Sequence, residues 1–83
     1  MYFVYILESL KDGSFYFGQT QDLVSRLDRH NAGLEKYTRK KTPWKVLWCC
    51  TVPTRSEALK LERKLKNFKS RKRVLAFILL QPK

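Results

Sequence analysis

The dipeptide Asp12-Gly13 stands between two runs rich in aromatic and β-branched residues, YFVYILES (2–9) and FYFG (15–18). An Asp-Gly pair adopts the backbone angles of a tight turn at little steric cost, and the flanking runs have strand composition. A β-hairpin is therefore the first unit this chain can form, and the later elements must pack on it. If Asp12 and Gly13 are the two central residues of the turn, Tyr16 pairs with Ser9. Residues 5, 7 and 9 share one face, so Tyr5 and Tyr16 share it as well. That register separates the two tyrosines by about 13 Å along the strand, and a different loop register brings them closer.

Beyond the hairpin, the spacing from Asp22 to Asn31 is helical, and Gly33 is placed to end that helix. Residues 34–43 form a basic, irregular loop closed by Pro43. The run WKVLWCCTV (44–52) reads as a third, largely buried strand, which assigns Trp44 and Trp48 to the core rather than to base stacking. Thr54 with Glu57 three residues later is a capping-box pattern, opening a helix that runs to about Phe68. Ser70 caps a last helix, RKRVLAFILL. The order is β-β-α-β-α-α, a small α+β fold. Residues 1–83 make a single domain, because so short a chain cannot divide its apolar residues between two cores.

Charge narrows the partners. Eighteen Lys and Arg face seven Asp and Glu, for a net charge of +11. Self-repulsion of that size opposes compaction and calls for a polyanion. Nucleic acid leads, since each phosphate neutralised releases a counterion. A membrane surface is the weaker rival: no stretch joins a basic face to a large exposed apolar one, and no run approaches the roughly 18 apolar residues of a span. MYFVYILESL lacks the basic start and small-residue cleavage site of an export signal. Cys49 and Cys50 are adjacent, so in a strand they point to opposite faces and are poorly placed to bridge or share a metal. They read as reduced packing residues of a cytoplasmic protein.

Several side chains could carry chemistry. Arg26 and His30 are four apart and stand on one helix face, with Arg29 beside them and Leu23 and Leu27 as the adjoining apolar stripe. In the second helix Ala58, Leu61, Leu65 and Phe68 define the buried stripe, and Glu62 lies only about 50° from its centre. A carboxylate there either pairs with a neighbouring Lys or Arg, or it is an oxygen ligand for a hard divalent cation, Mg²⁺ first. The seven carboxylates otherwise form no tight pair, which disfavours two-metal hydrolysis. Basic residues crowd the loop, with Lys36, Arg39, Lys40 and Lys41 around Tyr37. A second basic run from Lys60 to Arg73 includes Lys66, and both runs are candidate contacts to backbone phosphates.

Phe3-Val4-Tyr5, Tyr16-Phe17-Gly18, Arg26, His30 and Glu62, in that order, resemble the GIY-YIG nuclease superfamily, and its small stand-alone bacterial members in particular. The stretches VYIL, DGSFYFGQTQDLVSRLDRHNAG, KYTR and RSEALKLERKLK carry the likeness over most of the chain. Related catalytic domains occur in the nuclease subunit of excision repair and in homing endonucleases. Phe3, Val4 and Phe17 depart from the motif's letters, replacing a glycine and two isoleucines.

The resemblance implies a three-stranded antiparallel sheet flanked by helices. It gives Tyr5 and Tyr16 the places of the motif tyrosines and Arg26 that of the phosphate-stabilising arginine. Glu62 takes the place of the glutamate that binds a single Mg²⁺ or Mn²⁺, His30 that of a histidine found in many members, and Gly18 that of a glycine letting the backbone turn closely into the helix. The expected activity is metal-dependent endonucleolytic hydrolysis of DNA, in repair or recombination. In this scheme a tyrosine orients or deprotonates water, and His30 moves a proton or binds phosphate. Two alternatives stand beside it: a non-catalytic basic nucleic-acid-binding module that keeps the fold, and an accessory domain whose targeting comes from a protein partner.

Overall fold

The computed structural model describes residues 1–81. The elements are β1 (Tyr2–Ser9), β2 (Phe15–Thr20), α1 (Leu23–Asn31), a single 3₁₀ turn (Arg39–Lys41), β3 (Trp44–Val52), α2 (Arg55–Asn67) and α3 (Arg71–Leu79). The three strands form one antiparallel sheet in the order β2-β1-β3, so the α+β order β-β-α-β-α-α and the flanked three-stranded sheet are both as expected.

β1 is central and covered on both faces, which explains its nearly unbroken apolar run. Val4 and Ile6 point to one face, where they join Ala58 and Leu65 of α2 and Val74 of α3. Tyr5 and Leu7 point to the other, with Trp44 of β3, Tyr16 of β2, and Leu23 and Leu27 of α1. Val4, Ile6, Leu7 and Leu65 are fully buried, each contributing on the order of 1.5–3 kcal/mol.

The turn differs from the two-residue one expected. Ser9 N–H donates to Ser14 O at 2.8 Å, so the loop is residues 10–13. Ser9 Oγ accepts from the backbone N–H groups of Lys11 and Asp12, and Gly13, at φ +76°, brings the chain back. Tyr16 consequently pairs with Leu7 rather than Ser9, and Tyr5 with Gly18. A shift of two residues preserves the shared face but brings the tyrosines within about 7 Å of each other along the strand.

β3 also departs from its reading as a largely buried strand. It is an edge strand, and only Trp44 in it is buried. The pairing with β1 slips between Ile6 and Leu7, leaving Leu47 as an extra residue. A bulge of one residue inverts side-chain parity. Trp44 and Val46 therefore lie on the α1 face, whereas Trp48, Cys50 and Val52 pack with the other helices. Cys49 is exposed, so it is no packing residue, while Cys50 is half-buried; both are free thiols.

The helices begin and end where local chemistry dictates. Asp22, Thr54 and Ser70 cap α1, α2 and α3, each accepting from the backbone N–H three residues on. At the end of α1, Gly33 (φ +76°) donates to His30 O and Leu34 donates to Arg29 O, the paired bonds of a Schellman cap. Arg71 ties α3 to the hairpin. It donates to Gly13 O, meets Glu8 Oε2 at 2.7 Å and lies 4.5 Å above the Phe15 ring.

Candidate active site

Three elements deliver four of the expected residues to one place. Tyr5 comes from the middle of β1, Tyr16 from the start of β2, and Arg26 and His30 from one face of α1. The Tyr5 hydroxyl lies 3.2 Å from His30 Nε2. The Tyr16 ring packs edge-on against His30, centroid to centroid 5.0 Å, and against Trp44 at 6.3 Å.

Gly18 belongs to this site for a reason other than a turn into the helix. It lies within β2 opposite Tyr5, and its φ is not positive. A Cβ there would sit 2.6 Å from Tyr5 Cζ. Only a hydrogen leaves room for the phenol to lie across the strand and reach His30.

His30 is 1% exposed, although its spacing placed it on the same face as half-exposed Arg26. Its Nδ1 is 2.8 Å from Thr38 Oγ1, and the Thr38 hydroxyl points on to Glu35 O at 3.5 Å. With that hydroxyl donating to the carbonyl, Thr38 Oγ1 accepts from Nδ1–H, and Nε2 is left to accept from Tyr5 O–H. Burial pushes the imidazole pKa down, Arg26 and Arg29 push the same way, and Glu35 opposes them. A buried ring with both nitrogens engaged has no free donor for a phosphate. In this packing Nε2 meets the Tyr5 phenol and Nδ1 meets Thr38, so the ring is held within the protein.

Burial raises both phenols above the ordinary tyrosine range. For Tyr5, which is 2% exposed, burial is the main cause and the Tyr16 phenol adds to it. For half-buried Tyr16, burial again dominates, opposed chiefly by the Lys66 ammonium. Glu62 and Glu35 raise both, and Arg26 lowers both, so all three charges lie within electrostatic reach of the two phenols. This is how Glu62, from α2 on the opposite face of the sheet, joins the group. Its carboxylate is 18% exposed and meets Lys66 Nζ at 2.8 Å.

Glu35 is a residue the spacing did not single out. Its Oε1 meets Arg29 Nε at 3.0 Å and Arg26 Nη1 at 3.4 Å, and the Arg29 bond holds its carboxyl below the usual range. Thr38 is another: it is 1% exposed, and its carbonyl accepts from Trp44 Nε1 at 2.9 Å. Asn31 completes the frame, clasping the Trp44 backbone through both amide atoms at 2.6 and 3.1 Å. A threonine within KYTR carries no periodic signal, and only the histidine it faces gives it meaning.

The residues expected to contact nucleic acid divide into two sets. Lys36, Tyr37, Arg39 and Lys40 are exposed on the loop that carries Thr38, and Tyr37 is 82% exposed. Arg29, Lys41 and Lys66 are exposed but already partnered, by Glu35, Asp12 and Glu62 respectively.

Among the described residues no cluster of three or more His, Cys, Asp or Glu side chains converges. Glu62 offers one carboxylate, paired with Lys66 at 2.8 Å. Mg²⁺ keeps several waters and takes one or two carboxylates together with substrate phosphate, so a lone carboxylate is compatible with it and would suit no cation that needs an all-protein cage.

A sheet with paired tyrosines, a glycine under one phenol, an arginine on α1 and a glutamate on α2 defines a recognisable class. The profile of the GIY-YIG catalytic domain matches residues 1–74, and the chain belongs to that family. Among curated proteins it is 38% identical over 73 residues to the UPF0213 protein BH0048 of Halalkalibacterium halodurans, covering 87% of this chain and 77% of that one. It is 40% identical over 79 residues to a UPF0213 protein of Listeria monocytogenes, covering 94% and 86% of the two chains. The solution NMR structure of the UPF0213 protein BH0048 from Bacillus halodurans superposes with a TM-score of 0.62 at 36% identity, covering 98% of this chain and 86% of that one. These relatives are small GIY-YIG proteins, as the resemblance implied. No helix among the described residues is long and apolar enough to cross a membrane.

Proposed function

We propose that the protein is a metal-dependent endonuclease that hydrolyses DNA phosphodiester bonds at a one-cation site. The observation that carries this reading is the convergence of Tyr5, Tyr16, Arg26 and His30, from three elements, with the Glu62 carboxylate in electrostatic reach of both phenols. The net charge of +11 supplies the attraction for a phosphate backbone.

Arg26 presents a guanidinium suited to two oxygens of a phosphate, and it offsets charge that develops on the non-bridging oxygens as water attacks. Glu62, with phosphate oxygens and water, would hold the Mg²⁺ or Mn²⁺. A cation held there would supply polarisation of the phosphate and neutralisation of the leaving oxygen. Tyr16, the more exposed phenol, faces substrate and orients the attacking water. Tyr5 lies behind it, its proton directed at His30 Nε2. Both phenols are protonated at neutral pH, because burial raises them above a range already near 10. In the cation-free protein the tyrosines thus stand as oriented hydroxyl groups. A cation held by Glu62 would lower the pKa of the attacking water, whose proton would pass to bulk solvent. A role in repair or recombination and a location in the cytoplasm belong to the same proposal.

Supercoiled plasmid incubated with Mg²⁺ tests it. Wild-type protein should nick the plasmid, and Glu62→Ala and Arg26→Ala should each slow nicking by about 100-fold or more. Equal nicking by all three would point to a contaminant and end the mechanism. A non-catalytic binding module draws support from the Glu62–Lys66 pair, in which Lys66 already satisfies the carboxylate. That reading expects salt-sensitive DNA binding indifferent to Mg²⁺ and to Glu62.

A further inference from the structure

Beside the candidate site, and sharing Arg26 with it, lies a cleft of about 450 Å³. Its walls come from the start of β1, the end of β2, one face of α1 out to Arg29 and the first residue of α2. The side chains that matter are Tyr2, Gln19, Gln21, Arg26, Arg29 and Arg55. Asp22 also borders it, but its Oδ1 is engaged at the N-terminus of α1, accepting from Ser25 N at 3.1 Å.

Three guanidiniums around one concavity repel one another, and the compensation is uneven. Glu35 Oε1 answers Arg26 and Arg29 together, whereas Arg55, among the described residues, makes no ion pair. An anion between them would relieve that repulsion, and phosphate matches the guanidinium fork. The remaining lining is not that of a plain anion site. Gln19 and Gln21 each offer an amide donor and acceptor, the combination that reads a base edge, and Tyr2 adds an aromatic wall. The volume falls within the roughly 300–1,000 Å³ of small-ligand pockets, room for one nucleotide.

We propose that this cleft is a binding subsite for one unpaired nucleotide of a single-stranded segment, its phosphates held by Arg55 and Arg29 and its base edge by the glutamines. Because Arg26 lines both places, the bound nucleotide adjoins the phosphate at the catalytic residues. That adjacency rests on the nuclease reading; the binding itself does not.

Binding of fluorescein-labelled oligothymidylate, followed by fluorescence anisotropy in EDTA, separates the two. Arg55→Ala should weaken binding by about fivefold or more and lower the salt slope by about 0.7. Gln19→Ala should weaken oligothymidylate but leave a hairpin duplex bound as before. Lys45→Ala removes the same charge from the other end of the sheet, where Lys45 stands opposite Glu8 and pairs with it at 3.4 Å, and should change binding less than about twofold. Equal losses for Arg55→Ala and Lys45→Ala would reduce the effect to diffuse charge and overturn the subsite. So would a duplex that depends on Gln19 as strongly as the single strand does. A protein that nicks nothing yet binds oligothymidylate through Arg55 would overturn the nuclease reading and keep the subsite. A protein that nicks with Arg55-independent binding would do the reverse.

Discussion

Gly18 and Tyr5 share one volume: a Cβ on Gly18 would lie 2.6 Å from Tyr5 Cζ and 3.0 Å from its Cε2. The pair sits directly across the β1–β2 ladder, where backbone hydrogen bonds keep the strands from separating. The phenol must therefore move if a methyl group is added, and its bond to His30 Nε2 moves with it. Gly18→Ala should destabilise the fold by about 1–3 kcal/mol, as overpacking of a closed core does. It should also reduce nicking further than its stability loss accounts for. Thermal melts and plasmid nicking below the melting range measure the two effects separately.

Thr38 gives the second prediction. Replacing its hydroxyl by a methyl leaves His30 Nδ1 buried without a partner, at a cost of about 1–3 kcal/mol, and removes what selects the tautomer. Thr38→Val should lower stability and change the ¹⁵N shifts of the His30 ring, while Thr38→Ser should restore both. A ring whose shifts are the same in wild type and Thr38→Val would show that Thr38 does not set the tautomer.

What the residue order disclosed, and what it withheld, follows from the range of each interaction. The helix caps at Thr54 and Ser70 were legible because each bond spans three residues. The shared face of Tyr5 and Tyr16 was legible because strand parity survives any shift of two. Their actual spacing was not, since Ser9 Oγ bonds within the loop choose a longer connection than Asp12-Gly13 alone requires. Trp44 and Trp48 read as one strand's core residues, but a bulge at Leu47 sends them to opposite faces, and nothing local specifies it. Arg26, His30 and Glu62 were visible through their order in the chain. Thr38 and Glu35 acquire roles only when the basic loop folds back on α1.

Acid should expose the buried imidazole. The pKa of His30 is lowered in the folded state, so below its ordinary value of 6.5 the unfolded chain binds a proton that the native state resists. Stability from this group is complete above about 6.5 and declines as pH falls from there through the lowered native value. The groups around the ring are Tyr5, Tyr16, Thr38, Arg26, Arg29 and Glu35. Of these, only Glu35 among the acids favours the charged ring, and its own lowered pKa keeps it ionised over this range. Urea unfolding at about pH 7.5 and about pH 5.5 should therefore give a lower midpoint in acid. His30→Gln, at lower overall stability, should flatten that difference.

On the proposed one-cation reading, the pair between Lys66 and Glu62 would govern how readily a cation reaches the carboxylate. At 2.8 Å with the lysine side chain 54% exposed, it contributes little to the fold, at most about 0.5 kcal/mol for such an i,i+4 pair. Its effect on occupancy would be larger, because the ammonium and a cation would compete for the same oxygens. Lys66→Met should leave the melting temperature nearly unchanged, while half-maximal nicking moves to lower Mg²⁺ concentration by about three- to tenfold. Mn²⁺ binding, read from paramagnetic broadening of resonances near Glu62, checks the shift without relying on activity. If Lys66 instead holds substrate phosphate, the variant keeps its Mn²⁺ affinity and loses DNA affinity, with the salt slope reduced by about 0.9. One titration with each ligand assigns Lys66: tighter Mn²⁺ with an unchanged salt slope places it at the cation's carboxylate, and unchanged Mn²⁺ with a reduced salt slope places it on the DNA backbone.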